Sequence, residues 1–407
     1  MNEFIARHPI LMLSLIKVVV LLFLLLTALA YLVWFERKIS AHIQSRRGPY
    51  RVGPHGLLQP LADALKFLLK EDTTPAGADR FAYFLAPFLT MALAISAIAV
   101  IPFGPGSVQI FGQTTPLVVA DLNIGLLVIF AITSLGVYGV VLAGWSSNNK
   151  YSLLGGLRSS AQMVSYELSL TLSVVGVLLL TVTFHLGEIV TLQSGHTWGF
   201  LPRWNLLNST LPQLLGFFCY FVAAVAETNR LPFDLAEAET ELVAGFHTEY
   251  SSFKFAMFFI AEYANMVTVS CLAVILFFGG WLSPFPAIPA LAWTAYLPAA
   301  AFGLAGAGLV VHGLRYYTMF GRVVLPALGL ALCALAALCA RSGVMELVQG
   351  PFWFLLKVFV VLFVYVWVRW TLPRFRYDQL MAIGWKFLLP VSLANVVLTS
   401  LAVAARS

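Results

Sequence analysis

Residues 10–34 read ILMLSLIKVVVLLFLLLTALAYLVW, a run in which Lys17 is the single charged residue. A helix needs about 20 apolar residues to cross the hydrocarbon core of a bilayer, so this run is long enough to span it. It is also longer than the apolar region of a secretory signal, and no small-residue cleavage site follows it. We therefore expect a retained first membrane span.

The rest of the chain repeats this pattern. Of the 407 residues, 60% are hydrophobic and only 10% are charged, whereas a soluble domain averages about 25% charged residues. The apolar windows that predict spans are 10–34, 81–101, 123–145, 160–183, 211–226, 255–281, 352–372 and 385–404, with two further candidates at 291–312 and 323–340. Backbone groups in lipid must be hydrogen-bonded within their own segment, which favours helices. The prediction is an all-α polytopic membrane helix bundle that forms one integral membrane domain, 1–407.

Basic residues fall on alternate connections. The connection 36–80 carries eight Lys and Arg residues, whereas 101–122 carries none. Cytoplasmic loops of membrane proteins retain positive charge, so 36–80 is predicted to be cytoplasmic and the N-terminus periplasmic. The net charge of +6 has the same explanation. No basic run is interleaved with aromatic residues as a nucleic-acid groove requires, so nucleic acid is not an expected partner.

One segment of the first connection has a different pattern. Residues 57–70 read LLQPLADALKFLLK, with apolar residues at helical spacing and Asp63, Lys66 and Lys70 elsewhere on the helical wheel. This pattern indicates an amphipathic helix. Either it lies along the membrane surface or it packs on a partner, and the sequence favours neither.

Carboxylates concentrate in the acidic connection 227–254. Residues 227–250 read ETNRLPFDLAEAETELVAGFHTEY and hold six carboxylates against Arg230. Repulsion and burial both raise carboxylate pKa values, so such groups can exchange protons near neutral pH. Glu167 and Glu262 also interrupt apolar runs, where ionisable residues are costly and mark function or paired structure. A solvated acidic loop is the alternative interpretation of 227–254.

Motifs for covalent or metal chemistry are not found in the sequence. The four cysteines lie in apolar stretches and form no CxxC pair, and the seven histidines lack ligand spacing. Iron–sulfur clusters need several thiolates close together, and zinc sites need clustered ligands. We expect no metal, cofactor or redox centre on this chain. Proton movement or the binding of an apolar ligand is what its residues permit.

Three long stretches resemble a known family. Residues 36–72 read ERKISAHIQSRRGPYRVGPHGLLQPLADALKFLLKED, residues 227–266 read ETNRLPFDLAEAETELVAGFHTEYSSFKFAMFFIAEYANM, and residues 352–390 read FWFLLKVFVVLFVYVWVRWTLPRFRYDQLMAIGWKFLLP. In this order they resemble the membrane-subunit family that contains the H subunit of bacterial respiratory complex I, a proton-pumping NADH–quinone oxidoreductase, and its mitochondrial counterpart. The resemblance covers most of the chain outside roughly 283–350.

The resemblance implies a helical subunit of the bacterial inner membrane with eight spans. It implies a chamber for ubiquinone or menaquinone lined by Arg37, Gln44, Arg46, Phe233 and Asp234. It also implies an acidic proton path through Glu167, Glu227, Glu237, Glu239 and Glu262. The expected partners are quinone, lipid, the peripheral-arm subunits that complete the quinone site and the neighbouring membrane-arm subunits. Flavin and iron–sulfur clusters are expected on those partner subunits.

The chain departs from the family pattern at several positions. Tyr50 stands where the family has Asn, Ala41 where it has Gly, Ala236 where it has Pro and Thr240 where it has Ser. The larger departure is an insertion at 287–350, which we expect to add two helices. Two other functions remain open: the homologous ion-moving subunit of a membrane-bound hydrogenase or other complex-I-like enzyme, and a stand-alone secondary transporter. The absence of an internal repeat argues against the transporter.

Overall fold

A computed structural model describes residues 9–105, 107–110, 113–197, 201–207, 211–234, 243–285 and 289–405. Most of these residues are helical, which confirms the predicted all-α bundle. The helices are α1 Pro9–Ile43, α2 Gln59–Leu69, α3 Arg80–Ile98, α4 Gly125–Ser146, α5 Lys150–Thr181, α6 Leu186–Leu192, α7 Leu214–Glu227, α8 Ser252–Phe277, α9 Leu297–Leu314, α10 Met319–Cys339, α11 Ser342–Thr371, α12 Tyr377–Ala382 and α13 Leu389–Ala404. A π-helical segment, Ile383–Leu388, joins α12 to α13 without a break.

Nine helices in the described part of the chain are long and apolar enough to cross a membrane. The shorter apolar helix α7 makes the tenth, so the ten predicted spans all correspond to helices. Several boundaries differ from the prediction. Helix α5 begins at Lys150 rather than near 160, because the Asn149 side chain accepts a hydrogen bond from Tyr151 N and caps a polar first turn that the apolar window cannot detect.

Two short antiparallel hairpins were not predicted. Strand β1 (Ser107–Ile110) pairs with β2 (Gln113–Pro116), and β3 (His196–Thr197) pairs with β4 (Leu201–Pro202). Both lie in connections between helices. Their few residues carry too short an alternation for sequence patterns to detect.

Helix α8 forms the centre of the bundle. Every side chain from Thr268 to Phe277 is buried, and α8 packs against α3, α7 and α11. Helix α5 packs against α4, α7 and α13. The two central helices therefore position both the polar residues of the site and the connections that join them.

The insertion contributes a helical hairpin. Helices α9 and α10 pack closely on each other. Glycine at position 306 permits this approach, since a Cβ there would lie only 2.7 Å from Gly329 O. The hairpin adds an even number of spans, which keeps the predicted loop orientation consistent. Most of the outward faces of α9 and α10 are exposed apolar surface.

Gly155→Ala is expected to destabilise the protein by about 1–3 kcal/mol. A Cβ at this position would lie 2.5 Å from Gly245 Cα and 2.7 Å from Gly245 C, so backbone would have to move. Gly136→Ala is the matched control, because nothing lies within 4 Å of a Cβ there. Both glycines are in helix interiors, where alanine is favoured by about 1 kcal/mol. Thermal unfolding midpoints of the two variants should therefore move in opposite directions; equal midpoints would contradict the packing described here.

Candidate functional site

An apolar cavity of about 640 Å³ lies between α1, α2, α8 and α11. Its apolar walls are formed by Leu26, Leu29, Ala30, Val33 and Trp34 of α1, Pro60, Ala64, Phe67 and Leu68 of α2, Phe253, Phe255, Ala256, Phe259 and Ile260 of α8, and Trp370 of α11. Cavities of this size and composition are typical of sites for small apolar molecules.

The amphipathic helix α2 forms one wall of this cavity. It packs on α1 and α8, and none of its side chains is fully buried. Arg37 Nη1 of α1 lies 2.6 Å from Asp63 Oδ2 of α2, and Gln59 donates a hydrogen bond of 2.9 Å to the other oxygen of Asp63. The polar face of α2 is thus attached to α1, while its exposed leucines, including Leu61 and Leu65, face outward.

Part of the lining of the apolar cavity is polar and charged. Glu36, only 4% exposed, lines the cavity together with Tyr263 and Arg369. Its carboxylate accepts a hydrogen bond of 2.6 Å from the Tyr263 hydroxyl and forms an ion pair with Arg369. A buried carboxylate requires such partners, because desolvation of an unpaired charge is costly.

Arg230 is positioned by the end of α7. Asn229 adopts a left-handed conformation with φ of 49°, and Arg230 N donates to Val225 O while Asn229 N donates to Ala226 O. These two bonds form a Schellman motif, in which Asn is a common substitute for Gly. The motif reverses the chain directly after Glu227 and directs Arg230, 3% exposed, into the bundle.

Arg230 bridges two carboxylates from different helices. Its Nη1 lies 3.8 Å from Glu36 Oε1, and its Nε lies 3.2 Å from Glu262 Oε1. The guanidinium also lies over the Tyr263 ring, 4.1 Å from its centroid. Glu36 and Glu262 balance the formal charges of Arg230 and Arg369, so this largely buried network is electrically neutral as a whole. We call these four residues the charged bridge.

An acidic pocket of about 50 Å³ lies beyond the charged bridge. Glu227, Asp234 and Glu262 line it, together with the polar residues Thr90, Thr228, Asn229, His247 and Asn265. Asp234 is only 2% exposed and lies 3.7 Å from Arg374 Nη2. Among the described residues, Glu227 Oε2 is buried and has no hydrogen-bond partner. Because Glu262 belongs to both the charged bridge and the acidic pocket, the two are continuous.

Glu167 lies outside the lining of the acidic pocket. It sits on α5 and forms a short hydrogen bond with Ser134 of α4. Glu237 and Glu239 fall outside the described residues. Of the five residues predicted for the acidic path, the structure thus brings Glu227 and Glu262 together.

The five residues predicted for the quinone chamber are separated. Arg37 lines the apolar cavity and Asp234 the acidic pocket. Gln44 is exposed and accepts a hydrogen bond from Arg46 Nε, near the end of α1. Phe233 is buried between the rings of Tyr166 and Phe375, at centroid distances of 5.6 and 5.4 Å.

Sequence reasoning missed Glu36, Arg369 and Tyr263. Glu36 stands beside two basic residues, and Arg369 lies in a basic stretch, so both have the pattern of ordinary charges at a membrane boundary. Tyr263 directly follows Glu262 in an apolar run and was a detectable signal. The pairing of Glu36 with Arg369 joins residues 333 positions apart.

Lys17 and Lys357, the two lysines within apolar runs, bind backbone carbonyls of connections. Lys17 Nζ donates to Pro116 O and Val118 O at 3.0 and 2.8 Å. Lys357 Nζ donates to the carbonyls of Phe278, Gly280 and Leu282 at 2.6–2.9 Å and lies over the Trp204 ring. Both lysines hydrogen-bond to loop carbonyls and so attach these loops to their helices. Neither lysine lines the acidic pocket.

The described residues contain no group of three His, Cys, Asp or Glu side chains that could hold a metal ion. Cys219, Cys271 and Cys339 are buried and Cys333 is partly buried, all as free thiols. The arrangement offers an apolar cavity, a charged bridge and an acidic pocket in series. Such a series can bind an apolar molecule and exchange protons beside it.

Comparison with known proteins identifies the family. The family model described as NADH dehydrogenase matches residues 16–400. The chain is 51% identical over 391 residues to the first NADH-quinone oxidoreductase H subunit of Solibacter usitatus, covering 96% of each chain. It is 52% identical over 404 residues to the second H subunit of Koribacter versatilis, covering 97% of this chain and 98% of the relative.

The similarity extends to more distant bacteria. The H subunit of Thermomicrobium roseum is 45% identical over 387 residues, covering 94% of this chain and 93% of the relative. Similarity over nearly the whole length favours the oxidoreductase over a hydrogenase component or a stand-alone transporter. The chain therefore belongs to the H-subunit family of NADH–quinone oxidoreductases and is a multi-pass membrane component of that enzyme complex.

Proposed function

We propose that the apolar cavity holds quinone and that the charged bridge and acidic pocket carry protons away from it. The observation that supports this most directly is that one cavity combines an apolar lining with buried polar and charged groups. The cavity lining is mostly apolar and also includes Glu36, Tyr263 and Arg369. A quinone has a long apolar tail and a headgroup that gains protons on reduction, so it needs both environments.

The proton path would start at the charged bridge. Arg230 connects Glu36, at the cavity, to Glu262, at the acidic pocket. A pocket of about 50 Å³ lined by carboxyl and amide groups has room for a few water molecules. Glu227 and Asp234 would continue the path from there, with Glu237, Glu239 and Glu167 as further members. A change of charge on the headgroup would alter the balance of the bridge and so favour proton transfer into the pocket.

Several features of the assembly belong to the same proposal. Gln44, Arg46, Phe233 and Asp234 would shape the part of the chamber that the peripheral-arm subunits complete. Flavin and iron–sulfur clusters would be carried by those partners, and electrons would reach the quinone from them. The chain would lie in the bacterial inner membrane with its N-terminus periplasmic and its basic connections cytoplasmic.

Ala30→Trp tests whether quinone enters the apolar cavity. Ala30 lines the cavity, so an indole there would occupy part of its volume. We expect the KM for a long-tailed quinone to rise about tenfold, which corresponds to about 1.4 kcal/mol of lost binding. The KM for a tail-less quinone analogue should change less. Both are measured as NADH-driven quinone reduction in native membrane vesicles.

Ala28→Trp is the matched control. Ala28 lies on the same helix, is exposed and does not line the cavity. It should leave both KM values within about twofold, the ordinary range of a surface substitution. Equal effects of the two tryptophans, or none from either, would contradict the assignment of the cavity to quinone.

A further inference from the structure

The 45–58 loop, which joins α1 to α2, has a strained backbone. Gly48, Gly53 and Gly56 have positive φ values, and so do Ser45 and His55, at 54° and 53°. Residues other than glycine are disfavoured in this region and persist there when surrounding contacts hold them. The loop therefore requires contacts from outside its own sequence.

Those contacts come from the insertion. His55 N donates a hydrogen bond of 3.1 Å to the Tyr316 hydroxyl, and the Nε2 atoms of His55 and His312 lie 2.7 Å apart. The ring of Tyr50 stacks on Tyr317 with an interplanar angle of 16°. Tyr50 and the insertion are both departures from the family pattern, and here they meet. We call His312, Tyr316 and Tyr317 the clamp.

Tyr316, the central residue of the clamp, is held firmly in place. Tyr316 is only 4% exposed, and its carbonyl accepts a hydrogen bond of 2.7 Å from Arg322 Nε. A side chain at Gly321 would lie 2.1 Å from a carbon of the Tyr316 ring, so glycine is required for the ring to pack there. The side chain of Thr318 caps α10 at Gly321 N. The turn between α9 and α10 thus presents a fixed surface to the loop.

We propose that the insertion positions the 45–58 loop, and with it helix α2, for quinone access to the apolar cavity. This inference rests on the proposed function of the cavity. Arg37, ahead of the loop, and Gln59, just after it, both line the cavity. Helix α2 has no side-chain cap at Leu58, whose N donates instead to Val52 O within the loop. The placement of this cavity wall therefore depends on the loop, and the loop depends on the clamp.

The clamped loop also shapes the surface around Arg46. A pocket of about 530 Å³ is lined by Lys38, His42, Ser45, Arg46, Arg47, Tyr50 and His55. Tyr50 and His55 in this lining are the residues that the clamp contacts. If the contacts of the clamp with Tyr50 and His55 were lost, we expect Arg46 to shift relative to α2. We also expect α2 to shift relative to α1.

Tyr316→Phe removes one hydroxyl and leaves the ring in place. We expect hydrogen exchange of residues 45–58 in the purified complex to accelerate, because His55 N loses its acceptor. We also expect the KM for a long-tailed quinone to rise roughly fivefold, the size set by one hydrogen bond left unmade, with kcat unchanged. Tyr296→Phe is the control, since Tyr296 is in the same insertion but exposed and distant in sequence from the turn. It should change neither quantity.

The imidazole pair predicts a pH dependence. An Nε2–Nε2 hydrogen bond needs one acceptor lone pair, so it is lost when both rings are protonated. Burial lowers the pKa of His55 below its usual 6.5, and the neighbouring His312 and Lys38 side chains lower it further. Because the pKa of His55 is lowered, its ring stays neutral above pH 6.5, and the pair can lose its hydrogen bond only as pH falls through the folded-state pKa of His55. The charged or titratable groups around the pair include Lys38, His42, Arg46, Arg47 and Tyr50, which line a pocket with His55, and Tyr316 and Tyr317 of the clamp.

His312→Gln tests the pair, because glutamine can hydrogen-bond to His55 without titrating. The quinone KM of the parent enzyme should rise as pH falls below 6.5, and the variant should lose this rise while behaving like the parent at pH 7.5. An identical acid profile in both would overturn the role of the pair.

The two proposals fail in different ways. Unchanged loop exchange in Tyr316→Phe would overturn the clamp even if Ala30→Trp blocks quinone as expected. Faster loop exchange with an unchanged quinone KM would overturn the positioning role. In that case Ala30→Trp decides whether the cavity assignment fails with it.

Discussion

Arg230→Gln is expected to destabilise the protein by about 3–5 kcal/mol and to abolish most quinone-reductase activity, because the buried Glu36 and the partly buried Glu262 lose their common partner. Arg230 lies 3.8 Å from Glu36 and 3.2 Å from Glu262, and its own side chain is 4% exposed. Glu36 keeps Arg369 and Tyr263 as partners, whereas Glu262 loses the Arg230 guanidinium and must stay partly desolvated or take up a proton. The amount of assembled complex in native gels and its NADH-driven quinone reduction measure the two effects.

The double variant Arg230→Gln/Glu262→Gln distinguishes a charge effect from a packing effect. Removing a cation together with one of its carboxylates restores neutrality, so the double variant should recover at least about 1 kcal/mol of stability relative to Arg230→Gln. Arg203→Gln, at an exposed arginine of a connection, is the matched control and should assemble normally. If the double variant were as unstable as the sum of its parts, the charged bridge would not be an energetic unit.

Glu227→Gln and Asp234→Asn are expected to lower quinone reduction and proton translocation at least about tenfold while the complex assembles normally. Both substitutions keep the shape of the side chain and remove its ability to carry a proton. Both residues line the acidic pocket, and the Asp234 carboxylate lies 3.7 Å from Arg374 Nη2. Proton movement is followed by fluorescence quenching in inverted membrane vesicles, alongside NADH oxidation.

Glu71→Gln controls for the chemical change. Glu71 is an exposed carboxylate after α2 and lines neither the apolar cavity nor the acidic pocket. It should leave turnover and proton quenching within about twofold of the parent. Turnover at the parent level in both pocket variants would remove Glu227 and Asp234 from the proton path, whereas a defect in only one would identify the single carboxylate that the path requires.

The proposed role of the charged bridge would account for buried ion pairs in this bundle. Replacing a buried pair by apolar residues is often neutral or stabilising, so such pairs are weak candidates for a purely structural role. Here the pair of Glu36 and Arg369 faces a cavity large enough for an apolar ligand, and Glu262 faces the acidic pocket. The bridge thus occupies a position from which a charge change in the cavity would be felt in the pocket.

The sequence predicted the elements of this fold well. The ten apolar windows all correspond to helices, and 57–70 contains the amphipathic helix Gln59–Leu69. The windows could not locate the start of α5 or the two hairpins, because capping and short ladders depend on polar and backbone contacts. The sequence identified Glu227, Glu262 and Asp234 as carboxylates in or beside apolar segments. It did not identify the residues that they contact.

Side-chain partners were decided by tertiary structure alone. Glu36 and Arg369 are separated by 333 positions, and His55 and His312 by 257. Hydrophobic periodicity reports which face of a helix is apolar, but not which helix it meets or how far each is rotated and shifted along its axis. The sequence by itself therefore determined a bundle of membrane helices with carboxylates near its boundary. Only the packing of α1, α7, α8 and α11 brought Glu36, Arg230, Glu262 and Arg369 within bonding distance, because hydrogen bonds and ion pairs act over a few ångströms and require that packing first.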